Sequence, residues 1–266
     1  MYAPARQAQE NWCSWHYAGV PKRSHDPRPA QAEARVRRGY FECRYGQLHV
    51  HSAMPSGGGF EEGTPLLCVQ DFSGSGRIFR HFLALAGRER SVYAPDLPGF
   101  GESDPPPASV TIADYAAALG DFLDTMRVRQ LAVLGLGAGV VLTTELAVAR
   151  PAQVVRVVMV SVPQRSEIER HAAEARARAG EAVAEDPQSQ HRVLTAALDY
   201  PLRERLAKIT QPLLVLRSRD EPSEATAGLR ELPPGAAVTE LALGAATLFG
   251  APQPLADAVR GFLEVT

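Results

Sequence analysis

The residues whose order bears most directly on chemistry are Gly135-Leu136-Gly137-Ala138-Gly139. Before them Gln130–Leu134 (QLAVL) is a short apolar run of strand type; after them Val140–Arg150 (VVLTTELAVAR) has helical spacing and stops at Pro151. A strand, a glycine-pinched turn and a helix in that order make a nucleophile elbow, which lifts a serine hydroxyl above a parallel sheet for acyl transfer. The slot for that hydroxyl holds Gly137, which has no side chain. An elbow residue sits in a strained backbone conformation, at a cost of about 1–3 kcal/mol for residues with a Cβ. Glycine adopts such angles readily. Gly137 is therefore expected to relax the turn while removing its reactive atom.

Other readings of these glycines fail on spacing. A dinucleotide-binding loop needs G-x-G-x-x-G/A, and the sixth position is Val140, with no acidic residue near Val160–Val162 to take a ribose hydroxyl. A phosphate-binding loop needs a following Gly-Lys-Ser/Thr, which is missing.

The elements that must position the elbow follow from periodicity. Tyr40–Arg44 and Gln47–Ala53 predict an opening hairpin around Tyr45-Gly46. Pro65–Gln70, Ser91–Ala94, Gln130–Leu134, Val154–Val162, Pro212–Leu216 and Val238–Leu243 predict strands, and Arg77–Gly87, Thr111–Met126, 138–149 and Pro254–Leu263 predict helices. Thr111 is the expected N-cap of its helix, with Asp114 in the first turn. Strands alternating with helices predict an α/β fold: a mainly parallel twisted sheet covered on both faces, with antiparallel pairing at the hairpin edge. Residues 164–208 interrupt the alternation with Arg-, Glu- and Ala-rich helices and a turn near Asp186-Pro187.

Composition bounds the setting. The chain has 266 residues, 45% hydrophobic and 22% charged, enough for one substantial core. A formal charge of −2 argues against nucleic acid or anionic membrane as a partner, and no apolar run is long enough to span a bilayer. Three cysteines (Cys13, Cys43, Cys68) without CxxC spacing point to a reducing compartment, so a cytoplasmic location is expected. Residues 1–38 carry seven Lys/Arg against three Asp/Glu and no periodic apolar pattern, and read as a mobile basic extension ahead of a domain at 39–266. Trp12, Trp15 and Tyr17 in that extension offer docking points for a protein partner.

From about residue 39 onward the chain resembles the α/β-hydrolase superfamily, particularly small bacterial esterase, haloalkane-dehalogenase-like and peptidase-like members. Tyr93–Pro105 (YAPDLPGFGESDP) is similar to the family's D-x-P-G-x-G-x-S loop, and Ala251–Leu263 (APQPLADAVRGFL) to its final helix. The resemblance implies a nucleophile at Gly137, a histidine at Ala245 seven residues before Pro252, and an acid at Glu221, with Asp220 beside it. It also places the oxyanion loop at Gln70-Asp71, where the family carries His-Gly, with backbone amides of Phe72 and Ala138 as donors. A carboxylate at Asp71 would oppose a developing oxyanion. Within this resemblance Asp96 and Ser103 hold the turns of their loop, and 164–208 is a short cap that leaves a shallow or open pocket.

Nucleophile, histidine and oxyanion entrance are thus all replaced. The expected function is a hydrolase scaffold that has lost Ser-His-acid chemistry and binds a small apolar or carbonyl-bearing ligand or a protein partner. The alternative is an active hydrolase or lyase with Asp71 as base, Glu221 as acid and the Phe72 and Ala138 amides as oxyanion donors. No cofactor and no metal are assigned. Ser73 and Ser75 are read as turn residues capping the helix near Arg77, and His81 as packed or solvated. His49 and His51 are read as an edge-strand surface pair, and Glu167–Arg178 as a solvated helix face.

Overall fold

A computed structural model describes residues 34–58, 63–107, 110–163, 165–177, 187–218, 232–233, 235–241 and 252–264. Among these, eight strands form one sheet: β1 (Arg37–Cys43), β2 (Gly46–Ala53), β3 (Leu66–Val69), β4 (Val92–Pro95), β5 (Leu131–Leu136), β6 (Val154–Val160), β7 (Leu213–Ser218) and β8 (Ala237–Leu241). The sheet order is β1-β2-β4-β3-β5-β6-β7-β8. β1 and β2 pair antiparallel, as do β2 and β4, and the remaining pairs are parallel.

The central strands β3 to β7 are short, largely apolar runs buried on both faces, whereas the edge strands β1 and β8 are largely exposed, and period-2 alternation sorts the central side chains to the two sides. Leu67, Val69, Val133, Val157, Met159 and Val215 point into one core, with α2 (Ile112–Thr125) and α3 (Gly139–Ala149) over it. Leu66, Cys68, Ala132, Leu134, Val158 and Val160 point into the other, which Phe82 and Leu83 of α1 (Arg80–Ala86) and Leu255 and Val259 of the last helix, α7 (Gln253–Glu264), complete. α3 buries every residue from Gly139 to Ala147, so it has no solvent face and belongs to the interior.

Local signals account for the helix ends. Thr111 accepts from the Asp114 amide while the Asp114 carboxylate accepts from the Thr111 amide, a complete capping box. The predicted Arg77–Gly87 helix divides into a 3-10 turn (Gly76–Phe79) and α1. β1 begins three residues before the predicted Tyr40, because Arg37–Gly39 pair with Val50–Ser52 through backbone groups that apolar patterning does not report.

The 164–208 segment contributes α4 (Arg165–Ala177), α5 (Pro187–Leu198) and α6 (Leu202–Leu206). α4 buries only Ile168, Ala172 and Ala175, one helical stripe, and exposes most of its charged residues. Behind the segment, Glu145 of α3 accepts from Arg205 Nε at 2.9 Å and from the Tyr200 hydroxyl at 2.8 Å, tying α6 to the interior. No helix among the described residues is long and apolar enough to cross a membrane.

Candidate functional site

The site is built at the C-terminal ends of β3 and β5, neighbours although the chain visits β4 between them. Pairing of Val69 with Gly135 carries the segment after β3 alongside the turn after β5. That turn is an elbow. Gly137 has φ +53°, the left-handed region that residues with a Cβ avoid, and its amide donates to the Val160 carbonyl at 2.9 Å. Gly135 is required by close packing: a Cβ there would lie 2.6 Å from Thr143 Oγ1 and 2.8 Å from the Val140 backbone. The strained geometry of a nucleophile elbow is therefore present, with glycine in the nucleophile position.

Asp71 occupies the ground in front of it. Its Oδ1 accepts the Ala138 amide at 2.9 Å, and its Oδ2 accepts the Ser73 hydroxyl at 3.1 Å. Ala138 is the N-cap of α3 and has no side-chain cap of its own. The Asp71 carboxylate supplies the missing cap from another element, and its charge faces the positive end of an 11-residue buried helix. A Cβ built on Gly137 would meet Asp71 Oδ1 at 2.8 Å and Cγ at 2.9 Å. The carboxylate thus stands where the first atoms of a nucleophile side chain would be, and it holds the amide assigned to oxyanion binding.

Other predicted residues fall as follows. Gln70 is buried and donates from Nε2 to the Gly74 carbonyl. The Phe72 side chain is 1% exposed and belongs to the core, leaving only its backbone to serve a pocket. Ser73 bonds Asp71 instead of capping a helix, and Ser75 stands at the N-cap of the 3-10 turn without a side-chain cap bond. A cavity of about 410 Å³ opens beside Asp71, lined by Gln70, Ser73, Ser75, Arg77 and the exposed His81. Burial pushes the Cys68 thiol well above its ordinary range, so this interior cysteine is no substitute nucleophile. Glu221, Asp220 and Ala245 lie outside the described residues. Ser161, at the end of β6, has φ +50°; no sequence signal marks this strained serine one strand from the elbow.

His49 and His51 differ from their expected place on an exposed edge. They are 1% and 8% exposed, because β1 rather than β2 is the edge strand and the loop after β4 closes over them. That loop holds Asp96, which accepts His49 Nδ1 at 2.8 Å and the amides of Gly76 (2.7 Å) and Glu102 (3.0 Å). Ser103 Oγ donates to the Asp96 carbonyl and accepts from the His49 amide, so Asp96 and Ser103 fasten the 96–103 loop to β2. Burial pushes His51 below its ordinary value against the pull of Asp96.

Comparisons with known proteins agree with this architecture. The family model for the alpha/beta hydrolase fold matches residues 64–222, well over half of the chain. The chain belongs to that family. No curated protein matches the sequence. Among solved structures it is similar to a hydrolase from Pseudomonas aeruginosa PA01 at 19% identity, covering 86% of this chain and 98% of the other with a TM-score of 0.69. It is similar to a thermophilic esterase from Thermogutta terrifontis at 18% identity, covering 85% and 98% with a TM-score of 0.68. The enol-lactonase from Burkholderia xenovorans LB400 matches at 16% identity, covering 85% and 100% with a TM-score of 0.72. At these identities the likeness establishes the fold alone.

Proposed function

We propose that this chain is an α/β-hydrolase-fold protein without Ser-His-acid hydrolysis, whose pocket serves ligand binding or a protein contact. One observation carries the reading: the Asp71 carboxylate lies on the Ala138 amide at 2.9 Å and in front of Gly137. Acyl transfer needs an attacking atom above the elbow and an unoccupied amide for the developing oxyanion. Gly137 provides no attacking atom, and the amide already has an anion bound. The absence of an imidazole at Ala245 points the same way. A small apolar or carbonyl-bearing ligand could still use the space beside Asp71, and residues 1–38, of which Arg37 and Arg38 pair within β1 while Trp12, Trp15 and Tyr17 lie outside the described residues, are the segment we assign to a protein partner. The cysteine pattern supports a cytoplasmic setting.

The alternative chemistry, with Asp71 as base and Glu221 as acid, asks the Ala138 amide to serve twice, once in holding Asp71 Oδ1 and once in binding an oxyanion. Short-chain p-nitrophenyl esters and a fluorophosphonate probe test both readings. Absence of turnover and of covalent label is expected. Turnover abolished by Asp71→Asn would establish the alternative, and a covalent acyl adduct would end the non-hydrolytic reading.

A further inference from the structure

The cluster on the far side of the 96–103 loop is absorbed by neither the elbow nor its pocket. β2 and β4 pair antiparallel with Val50 opposite Pro95 and His51 opposite Ala94, which brings His49 and His51 on one face of β2 to the carboxylate of Asp96 just beyond β4. All three residues are buried, and one donor atom from each lies within 4.8 Å of the others. The two imidazole rings meet edge to face, with centroids 4.6 Å apart.

The contact that requires explanation is between His51 Nε2 and Asp96 Oδ1, at 3.8 Å. That is too long for a hydrogen bond. Among the described residues the His51 ring makes no hydrogen bond at all, although its side chain is 10% exposed. Two ligand atoms bound to one tetrahedral ion at bond lengths of ~2.1 Å stand ~3.4 Å apart. The His49 Nδ1 to Asp96 Oδ2 separation of 2.8 Å and the 3.8 Å gap to His51 bracket that spacing, so small side-chain shifts convert the cluster into a ligand set. Asp96 keeps its orientation through the Gly76 and Glu102 amides, which leave lone pairs on the carboxylate for a further partner. Backbone amides fixing a ligating carboxylate are the kind of outer support that metal sites use.

We propose that His49, His51 and Asp96 form a binding site for a divalent first-row transition ion, with zinc as the reference ion. Imidazole nitrogen with one carboxylate oxygen selects such ions over magnesium or calcium, which take oxygen ligands. Coordination through His49 Nδ1 replaces its hydrogen bond to Asp96 and leaves the ring proton on Nε2. A cavity of about 830 Å³ lined by His49, Tyr40, Glu102 and the three arginines Arg35, Arg37 and Arg38 opens onto the cluster at His49. Glu102 faces this cavity with Arg38 Nη1 3.9 Å from its Oε1, which offsets the charge of one of the three arginines.

The test uses the full chain, stripped with a chelator and titrated with Zn²⁺ by calorimetry, and separately with Co²⁺ while visible absorption is recorded. One ion per chain is expected, with a dissociation constant at or below about 10 µM and Co²⁺ bands of a low-coordinate nitrogen and oxygen site. His51→Gln should weaken Zn²⁺ binding at least tenfold, while a Cys13→Ala/His16→Ala/His25→Ala variant should bind as the parent does. Magnesium should not compete. Failure of the parent to take up one ion, or undiminished affinity in His51→Gln, overturns the proposal. If His51→Gln does not fold, the Co²⁺ spectrum of the parent decides. A spectrum of six-coordinate aqueous cobalt is the negative result. None of these outcomes bears on the elbow, whose reading stands or falls on ester turnover.

Discussion

Asp71 and Gly137 are expected to be energetically coupled, and a double-mutant cycle measures this. Gly137→Ala imposes two costs. The first is the left-handed backbone at φ +53°, about 1–2 kcal/mol for a residue with a Cβ. The second is the approach of 2.8 Å to Asp71 Oδ1, which the carboxylate can relieve only by rotating away and surrendering the Ala138 amide. A hydrogen bond to a charged group contributes about 1.5–3 kcal/mol. Gly137→Ala in the parent should therefore destabilise by about 2.5–5 kcal/mol, summing the two terms. In an Asp71→Ala background the second cost is already spent, and the same substitution should cost only the backbone term. Urea denaturation followed by circular dichroism on the four proteins gives a coupling of about 1.5–3 kcal/mol. Additivity within about 0.5 kcal/mol would refute the contact between Asp71 and the elbow.

Gly137→Ser with Ala245→His should remain inactive toward aryl esters, because the new hydroxyl meets Asp71. Adding Asp71→Gly is expected to give the first measurable turnover, and activity already present in the double variant would contradict the placement of the carboxylate. Glu145→Ala removes the acceptor for Arg205 and Tyr200 and should lower stability by about 1.5–3 kcal/mol, read from the urea midpoint at constant m. A shift below about 0.5 kcal/mol would mean that α6 is not tied to α3 in solution. The Arg44 guanidinium holds the Asp121 carboxyl below its ordinary 3.8. The folded state therefore binds this proton less readily than the unfolded chain, and the stabilisation is present above about pH 4 and is lost as the pH falls further. Because Arg44 and Asp121 are 40% and 28% exposed, its size is about 0.5–1 kcal/mol. Melting temperatures of the parent and Asp121→Asn should differ at pH 7 and draw together as the pH falls below 3.8; a constant difference would dissociate the pair from stability.

Much of the architecture is legible in the chain's own periodicity. Apolar runs of four to seven residues such as Leu66–Val69 and Val154–Val160 can be satisfied only between two covering layers, so they announce a parallel sheet. The Gly135–Gly139 pattern between a strand and a helix announces the elbow, and Thr111 with Asp114 announces a helix start, because these signals are written within a few residues. Strand order and register lie beyond that range. Seen in sequence, Asp71 is a charge misplaced at an oxyanion loop. It becomes the cap of α3 only because β3 lies against β5 in the register that brings it to Ala138, 67 residues away. His49 and His51 alternate as surface residues would, and sequence has no means of recording that β1 takes the outer edge and that Asp96 closes over them. Local conformation is decided by neighbours along the chain, whereas burial and the company a polar group keeps are decided by neighbours across the sheet. The first were determined by the sequence alone; the second were decided by the tertiary fold.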